Sequence, residues 1–212
     1  MKTKGEILRT IEYVILIVVA AIALLPLFWL FVSSFKTDAD VIRFPPSFFP
    51  AKWVLDQYQY VLEAIPFLRM LLNTVVFAGS VTLISLCIDS LAAYAFARLQ
   101  FKGRRVIFAI ILVTMMVPFQ VIMTPLYIEE FKLHILNTFA GLILPRIASA
   151  YGIYMLTSFF AGIPKSLEEA ARIEGMGDLT IYAQIIIPLS KPALISLGIF
   201  HFMNNWNDLL YP

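Results

Sequence analysis

The sequence predicts an all-α membrane protein that forms one transmembrane domain with five membrane-spanning helices. Sixty per cent of its 212 residues are hydrophobic and only 14% are charged, whereas a soluble domain normally carries about 25% charged residues. The mean hydropathy is +0.85, and five apolar runs approach or exceed the roughly 20 residues that a membrane helix needs. The net charge of only +2 gives no indication of nucleic-acid binding.

The five predicted spans follow the five apolar runs. They cover about residues 13–35, 71–97, 106–128, 137–163 and 185–210. Asp89 interrupts the second run and Arg146 the fourth, whereas the first and third contain no charge. Several spans contain proline, which membrane helices tolerate because neighbouring groups can satisfy the freed carbonyls.

The distribution of Lys and Arg predicts a cytoplasmic N-terminus. In that orientation ten of the 16 basic residues lie in inner segments and five in outer ones, with Arg146 inside the membrane. Cytoplasmic segments of membrane proteins carry such an excess of positive charge. Residues 36–69 then form an external loop, in which the prolines between Phe44 and Pro50 predict an extended strap. Residues 164–188 form a cytoplasmic loop.

The cytoplasmic loop has the pattern of a short helix, a turn and a second helix. Ser166 followed by Glu169 is a capping box, which indicates a helix start. Gly175 can adopt the left-handed conformation that ends a helix. Asp178 can cap a second helix that runs toward Pro188 and the fifth span.

The first of these helices has about two turns and is marginal alone in water, so it needs a surface to pack on. Leu167, Ala170, Ala171 and Glu174 fall on one face, and the alanines permit close approach. Periodicity leaves two interpretations equally open. The face could dock on a partner protein, or it could pack on this chain's own helix ends.

The spacing within this loop is similar to a known motif. Glu169-Ala170-Ala171 is followed by Gly175 after three residues, by Ile185 after nine more, and by Ile187-Pro188. This resembles the EAA motif in permease subunits of bacterial ATP-binding-cassette (ABC) importers, and in particular the second permease subunit of maltose-type carbohydrate systems. Ile187 and Met176 replace a commoner leucine and a commoner small residue. Supporting segments elsewhere in the chain are Pro45-Pro46, Asn73-Thr74, Ala92 to Arg98, Pro118-Phe119-Gln120, Pro125-Leu126-Tyr127 and Trp206-Asn207-Asp208.

The resemblance implies a non-catalytic transport subunit in the bacterial inner membrane that moves a sugar or a sugar-like solute by alternating access. It implies an ATPase dimer, a second permease subunit, an external solute-binding protein and a sixth span beyond Pro212. The chain has no Gly-x-x-x-x-Gly-Lys-Ser/Thr phosphate loop, so ATP and Mg²⁺ are expected on the partner ATPase. The residues to which the resemblance assigns ATPase coupling are Ser166, Leu167, Glu169, Ala170, Ala171, Glu174, Gly175, Ile185 and Pro188.

Polar and aromatic residues within the spans are candidates for the solute path. Asp89 and Arg146 are costly in lipid and should face protein or water. Asp89 lies about 27 Å below the outer surface and Arg146 about 13 Å, which argues against a direct pair. We interpret Asp89 as a structural contact close to the inner surface, where water or a cytoplasmic cation could meet it. Arg146 is a solute-path candidate together with Tyr151, Tyr154, Asn205 and Trp206, although ordinary membrane packing is the favoured explanation for the aromatics.

Two other classes of membrane protein are alternatives to this interpretation. A self-sufficient ion-coupled transporter usually shows internal repeats and buried mid-membrane charges, but no repeat is obvious here. An intramembrane enzyme would need a catalytic motif such as His-Glu-x-x-His or Gly-x-Ser-x-Gly, and none is present. His134, His201 and Cys87 lack metal-ligand spacing, so we predict packing roles and no metal site.

Overall fold

The computed structural model describes residues 4–209 and is helical, with no β-strand in that range. The described range leaves out Lys2 and also Leu210, the last residue of the predicted fifth span, together with Tyr211 and Pro212. The chain divides into two compact units, Met1–Met70 and Leu71–Pro212.

The first unit contains one long apolar helix and an ordered strap. Its helices are α1 (Lys4–Ser33), α2 (Asp38–Val41) and α3 (Asp56–Ala64). Two buried charged side chains fix the strap, since Lys36 Nζ donates to Ser47 O over 2.6 Å and Asp40 Oδ2 accepts from Ala51 N over 2.9 Å. The segment around the three prolines is not helical, as their fixed φ predicts.

The second unit contains the remaining helices together with most of α4, which begins in the first unit. They are α4 (Phe67–Arg98), α5 (Arg104–Thr114), α6 (Phe119–Lys132), α7 (Phe139–Ile143), α8 (Ala150–Ala161), α9 (Lys165–Ile173), α10 (Asp178–Ile181), α11 (Ile187–Leu189) and α12 (Lys191–Trp206). A 3₁₀ turn, Leu144–Arg146, follows α7, and a π-helical segment, Tyr182–Ile186, separates α10 from α11.

Three of the predicted spans are bent helix pairs and not continuous helices. The chain turns by 97° between α5 and α6, by 43° between Arg146 and α8, and by 79° between α11 and α12. Within residues 4–209, two helical segments, Leu8–Ser33 and Phe67–Arg98, are long and apolar enough to cross a membrane alone. Up to five spans result if each bent pair counts as one, so the five-span count and the orientation remain predictions.

Proline accounts for two of these breaks. Pro118 has extended backbone angles (φ −66°, ψ 139°) immediately before α6, and it has no N–H with which to continue α5. Pro188 likewise offers no N–H, and the preceding segment widens so that Ile187 N bonds to Tyr182 O. Residues 185–189 therefore belong to the helical segment on one side of this bend, and α12 begins at Lys191 on the other side.

The core of the second unit lies where α4, α8, α10, the π segment and α12 meet. Its most deeply buried side chains are Ala93, Leu156, Phe160, Ile181, Ile186 and Leu197. Ala171 of α9 belongs to this core, so the core positions the loop formed by residues 164–188.

Candidate functional site

The start of α9 differs from the predicted capping box. The residue before the helix is Pro164 (φ −58°, ψ 127°), which makes no side-chain cap bond, and the helix begins at Lys165. Ser166 is therefore already inside the first turn and Glu169 lies beyond the N3 position that a capping box requires. The fixed φ of proline initiates this helix in place of the serine hydroxyl.

The end of α9 agrees with the prediction for Gly175. Gly175 has a φ of +84°, the left-handed conformation that favours glycine. Its N–H donates to Arg172 O and the N–H of Met176 donates to Ala171 O, each over 3.0 Å. This pair of hydrogen bonds is a Schellman motif, which satisfies carbonyls at the helix end.

Asp178 does not cap α10 as predicted. Gly177 occupies the cap position without a side-chain bond, and Asp178 is the first helical residue. There its negative charge faces the positive end of the helix dipole. Its Oδ1 also lies 2.5 Å from a guanidinium nitrogen of Arg172, and both side chains are about half exposed. The hydrogen bond to Asp178, followed by its charge, raises the pKa of Arg172.

One side of α9 packs on this chain. Glu168 and Ala171 are buried, and Glu168 Oε1 lies 2.9 Å from Arg98 Nε at the end of α4. The two atoms form an ion pair without the alignment of a hydrogen bond. Arg98 also donates to the carbonyls of Phe160 and Ile163, the latter over 2.6 Å, at the end of α8.

This packing corrects the predicted docking face. Ala171, which was assigned to a partner, is buried against the chain itself, whereas Leu167, Ala170 and Glu174 are exposed. Sequence reasoning missed Glu168 and Arg98 as a pair. Two sequence features could have indicated the pair: Glu168 lies three residues before Ala171 and so on the same helix face, and Arg98 lies at the end of an apolar run.

The opposite side of α9 is open, and we call it the outer α9 surface. It consists of Leu167, Glu169, Ala170, Ile173 and Glu174, of which Ile173 is 88% exposed. Leu179, at the start of α10, is also 73% exposed. Large aliphatic side chains in a polar loop indicate a surface that another protein covers.

The last two predicted coupling residues lie apart from this surface. Ile185 belongs to the π segment and packs partly buried against the core. Pro188 is exposed within α11, close to the 79° turn into α12. Both residues shape the helix that leads away from α9.

Asp89 connects three helices inside the second unit. Its carboxylate is completely buried; Oδ1 accepts from Ser149 N over 2.8 Å and Oδ2 lies 3.2 Å from His201 Nε2. Asp89 is therefore a buried contact between helices and is not exposed at the inner surface as expected. His201, expected to be an isolated packing residue, is its partner. Among the described residues no group of three His, Cys, Asp or Glu could hold a metal.

Arg146 lies among polar and aromatic groups. One guanidinium nitrogen donates to Asn205 Oδ1 over 3.0 Å, and the other forms an ion pair with Asp208. The guanidinium carbon also lies 5.0 Å from the ring centre of Phe119, within range of a cation–π contact. These contacts join the turn before α8 to the end of α12.

A cavity of about 700 Å³ opens beside Arg146. Its polar wall includes Gln120, Ser149, Asn204 and Asn205, together with Arg146 and Asp208. Of the predicted solute-path residues, Arg146 and Asn205 thus lie on this wall. Tyr151, Tyr154 and Trp206 do not line it; Trp206 instead stacks on Phe202 with ring centres 5.5 Å apart.

Comparison with known proteins places this architecture among transport proteins. A family model described as "binding-protein-dependent transport system inner membrane component" matches residues 89–212, a range that includes α9 and the cavity. The chain is also similar to an arabinooligosaccharides transport system permease protein of Halalkalibacterium halodurans. Identity is 33% over 197 residues, which is 92% of this chain and 71% of that protein.

Two further comparisons extend the similarity. The sn-glycerol-3-phosphate transport system permease protein of Salmonella typhi is 32% identical, over 97% of this chain and 75% of that protein. A chain in the crystal structure of a bacterial ABC transporter involved in the import of the acidic polysaccharide alginate has a TM-score of 0.82 and 29% identity. That match covers 98% of this chain and 74% of the other.

Proposed function

The chain belongs to the family of inner membrane components of binding-protein-dependent transport systems, and from this we propose that α9 is the site at which a separate ATPase drives it. The protein is a multi-pass inner membrane subunit of an ABC importer that moves sugars. Its relatives are permease subunits of transporters and not enzymes. Membership of the family implies that an ATPase and a solute-binding protein act with it.

The outer α9 surface supports this docking proposal. A partner groove would cover Ile173, Leu167 and Leu179, whose aliphatic side chains are exposed in this chain. Burying large aliphatic side chains stabilises an interface by about 1.5–3 kcal/mol each. Glu169 and Glu174 add negative charge on the same side and select a basic partner surface.

The inner side of α9 would transmit the force. When ATPase subunits close on ATP, they would displace α9, and the Arg98–Glu168 ion pair would carry that displacement to α4. The bonds from Arg98 to the carbonyls of Phe160 and Ile163 would move the end of α8 with it. Rigid helices that move together are suited to a two-state change between inward-open and outward-open arrangements.

The full assembly we propose contains four further subunits. Two ATPase subunits bind ATP and Mg²⁺ in place of this chain, whose sequence has no phosphate loop. A second permease completes the membrane pathway as a heterodimer. An external solute-binding protein delivers the sugar. Within this chain, the cavity wall that carries Arg146 and Asn205 is the proposed part of the solute path.

Site-directed cross-linking tests the docking site. Cysteine at Ile173, in a chain with Cys87→Ser, is expected to cross-link to the co-expressed ATPase, with a yield that changes between ATP-bound and nucleotide-free complexes. Ala161→Cys, also exposed but before α9, is the matched control and should give little product. Uptake that continues after loss of the ATPase's catalytic activity would instead favour an ion-coupled transporter.

A further inference from the structure

We infer that the cavity beside Arg146 binds an uncharged polyhydroxylated solute and disfavours anionic ones. This inference deepens the proposed function and rests on it, because it assigns a solute class to the pathway within this chain. The volume of about 700 Å³ lies within the range of roughly 300–1,000 Å³ that small-molecule sites occupy.

Two amide side chains supply the hydrogen-bonding groups. Gln120, at the start of α6, and Asn204, near the end of α12, both line the cavity, and both are exposed. A primary amide offers two donors and an acceptor oxygen. Sugar hydroxyls both donate and accept, so these amides match them without requiring charge.

Asn205 has a different role. Its Oδ1 accepts from Arg146 over 3.0 Å and its Nδ2 donates to His201 O over 2.7 Å. Because these bonds engage both ends of the amide, Asn205 holds the guanidinium in position and leaves little capacity for a solute. Gln120 and Asn204 are therefore the specificity groups, and Asn205 is a positioning residue.

The charges on the wall offset one another. Arg146 forms an ion pair with Asp208, and His201 Nε2 lies against the buried Asp89 carboxylate. Asp89 is completely buried, so the opposite charges that line the wall are those of Arg146 and Asp208, which cancel. An anion entering the cavity would therefore lose hydration without gaining an uncompensated opposite charge.

Protection of a reporter cysteine tests this inference. Ala148 lines the cavity without a polar group, so Ala148→Cys with Cys87→Ser reports occupancy through its rate of maleimide labelling. The complete permease–ATPase complex in nanodiscs is labelled with arabinotriose or diacetylchitobiose as neutral probes, and with trimannuronate or glycerol 3-phosphate as anionic probes. A neutral probe is expected to slow labelling, and the anionic probes should not do so at the same concentration.

Variants of the wall provide the second arm. Gln120→Ala and Asn204→Ala are each expected to weaken protection by the neutral probe by about tenfold. Asp208→Asn leaves Arg146 without that counter-charge and should raise apparent affinity for trimannuronate by about tenfold. Arg146→Gln combined with Asp208→Asn restores overall neutrality and should remove that gain.

Two results would overturn the inference. In the first, with the cavity wall unchanged, an anionic probe protects Ala148→Cys from labelling as well as, or better than, both neutral probes do. The other is failure of every probe to protect Ala148→Cys while transport still depends on the ATPase, which leaves the proposed function intact. A reporter at Ala183→Cys, which is exposed in the cytoplasmic loop, controls for indirect changes because its labelling should not respond to the neutral probe.

Discussion

Arg98 Nε lies 2.9 Å from Glu168 Oε1, and the two side chains are only 2% and 9% exposed. The same guanidinium donates to the carbonyls of Phe160 and Ile163. A single side chain therefore joins the end of α4, the end of α8 and the first turn of α9. Removing either charge leaves the other buried, which generally costs more than the intact pair contributes.

Arg98→Gln should destabilise the permease by about 3 kcal/mol, because Glu168 then keeps a buried charge without its partner. The measurement is the melting temperature of the detergent-purified chain, combined with ATP-driven uptake in vesicles. Uptake should fall more than ATPase co-purification does, since the outer α9 surface is unchanged.

Glu168→Gln with Arg98→Gln is the matched control, because it removes both charges. The double variant should be more stable than Arg98→Gln alone, as expected for directly coupled residues. Simple addition of the two single losses would contradict a direct ion pair.

Arg172→Gln removes the other ion pair of the loop and should have a much smaller effect on the melting temperature. Arg172 and Asp178 are 49% and 46% exposed, so water and salt screen their attraction. Because Asp178 raises the pKa of Arg172, this group adds stability at pH values below its unfolded pKa, and loses it only as the pH rises through the higher folded pKa. Near neutral pH Arg172 therefore stays charged, and the stability difference between Arg172→Gln and the unchanged chain should not change with its ionisation. A drop in melting temperature as large as that of Arg98→Gln would contradict this account.

Gly175→Ala should disturb the turn after α9 although there is space for a methyl group. No atom lies within 4 Å of an added Cβ, but the φ of +84° costs a non-glycine residue about 1–2 kcal/mol. Gly177→Ala is the matched control, since it has equal space and an ordinary φ of −79°. ATPase co-purification should fall for Gly175→Ala and remain for Gly177→Ala; equal losses would assign the effect to crowding in the complex.

The sequence predicted those features of the molecule that depend on local properties. Apolar runs gave the helical class, and Gly175 was identified because its conformation is a property of one residue. Pro118 and Pro145 were expected to be tolerated within spans, yet breaks occur beside both. Proline can either kink or break a membrane helix, and the outcome depends on which neighbouring groups satisfy the freed backbone.

The contacts of the site that the sequence did not predict are those between distant segments. Ser149 N is satisfied by Asp89, sixty positions earlier, and that carboxylate also meets His201, 112 positions later. Glu168 pairs with Arg98 from another helix. The Ser166–Glu169 capping box was wrong for a local reason, because Pro164 begins the helix before the serine. Periodicity identified α9 as amphipathic, but only packing shows that Ala171 faces inward.

Gly152→Ala tests the contact between α4, α8 and α12. A Cβ on Gly152 would lie 2.1 Å from Asp89 Oδ2 and 3.2 Å from His201 Nε2, so the carboxylate must move. Asp89 cannot do so while it holds both Ser149 N and His201. Losing hydrogen bonds to a buried charge should lower the free energy of unfolding by about 3 kcal/mol.

Gly79→Ala provides the matched control for that substitution. Gly79 lies inside α4 and an added Cβ meets no atom of the described chain within 4 Å, so alanine should be neutral or stabilise the helix by up to about 1 kcal/mol. Thermal unfolding of the two purified variants measures the difference. An unfolding temperature of Gly152→Ala equal to or above that of Gly79→Ala would show that Asp89 has room to move. The close approach of α8 to the carboxylate would then not be what holds α4, α8 and α12 together.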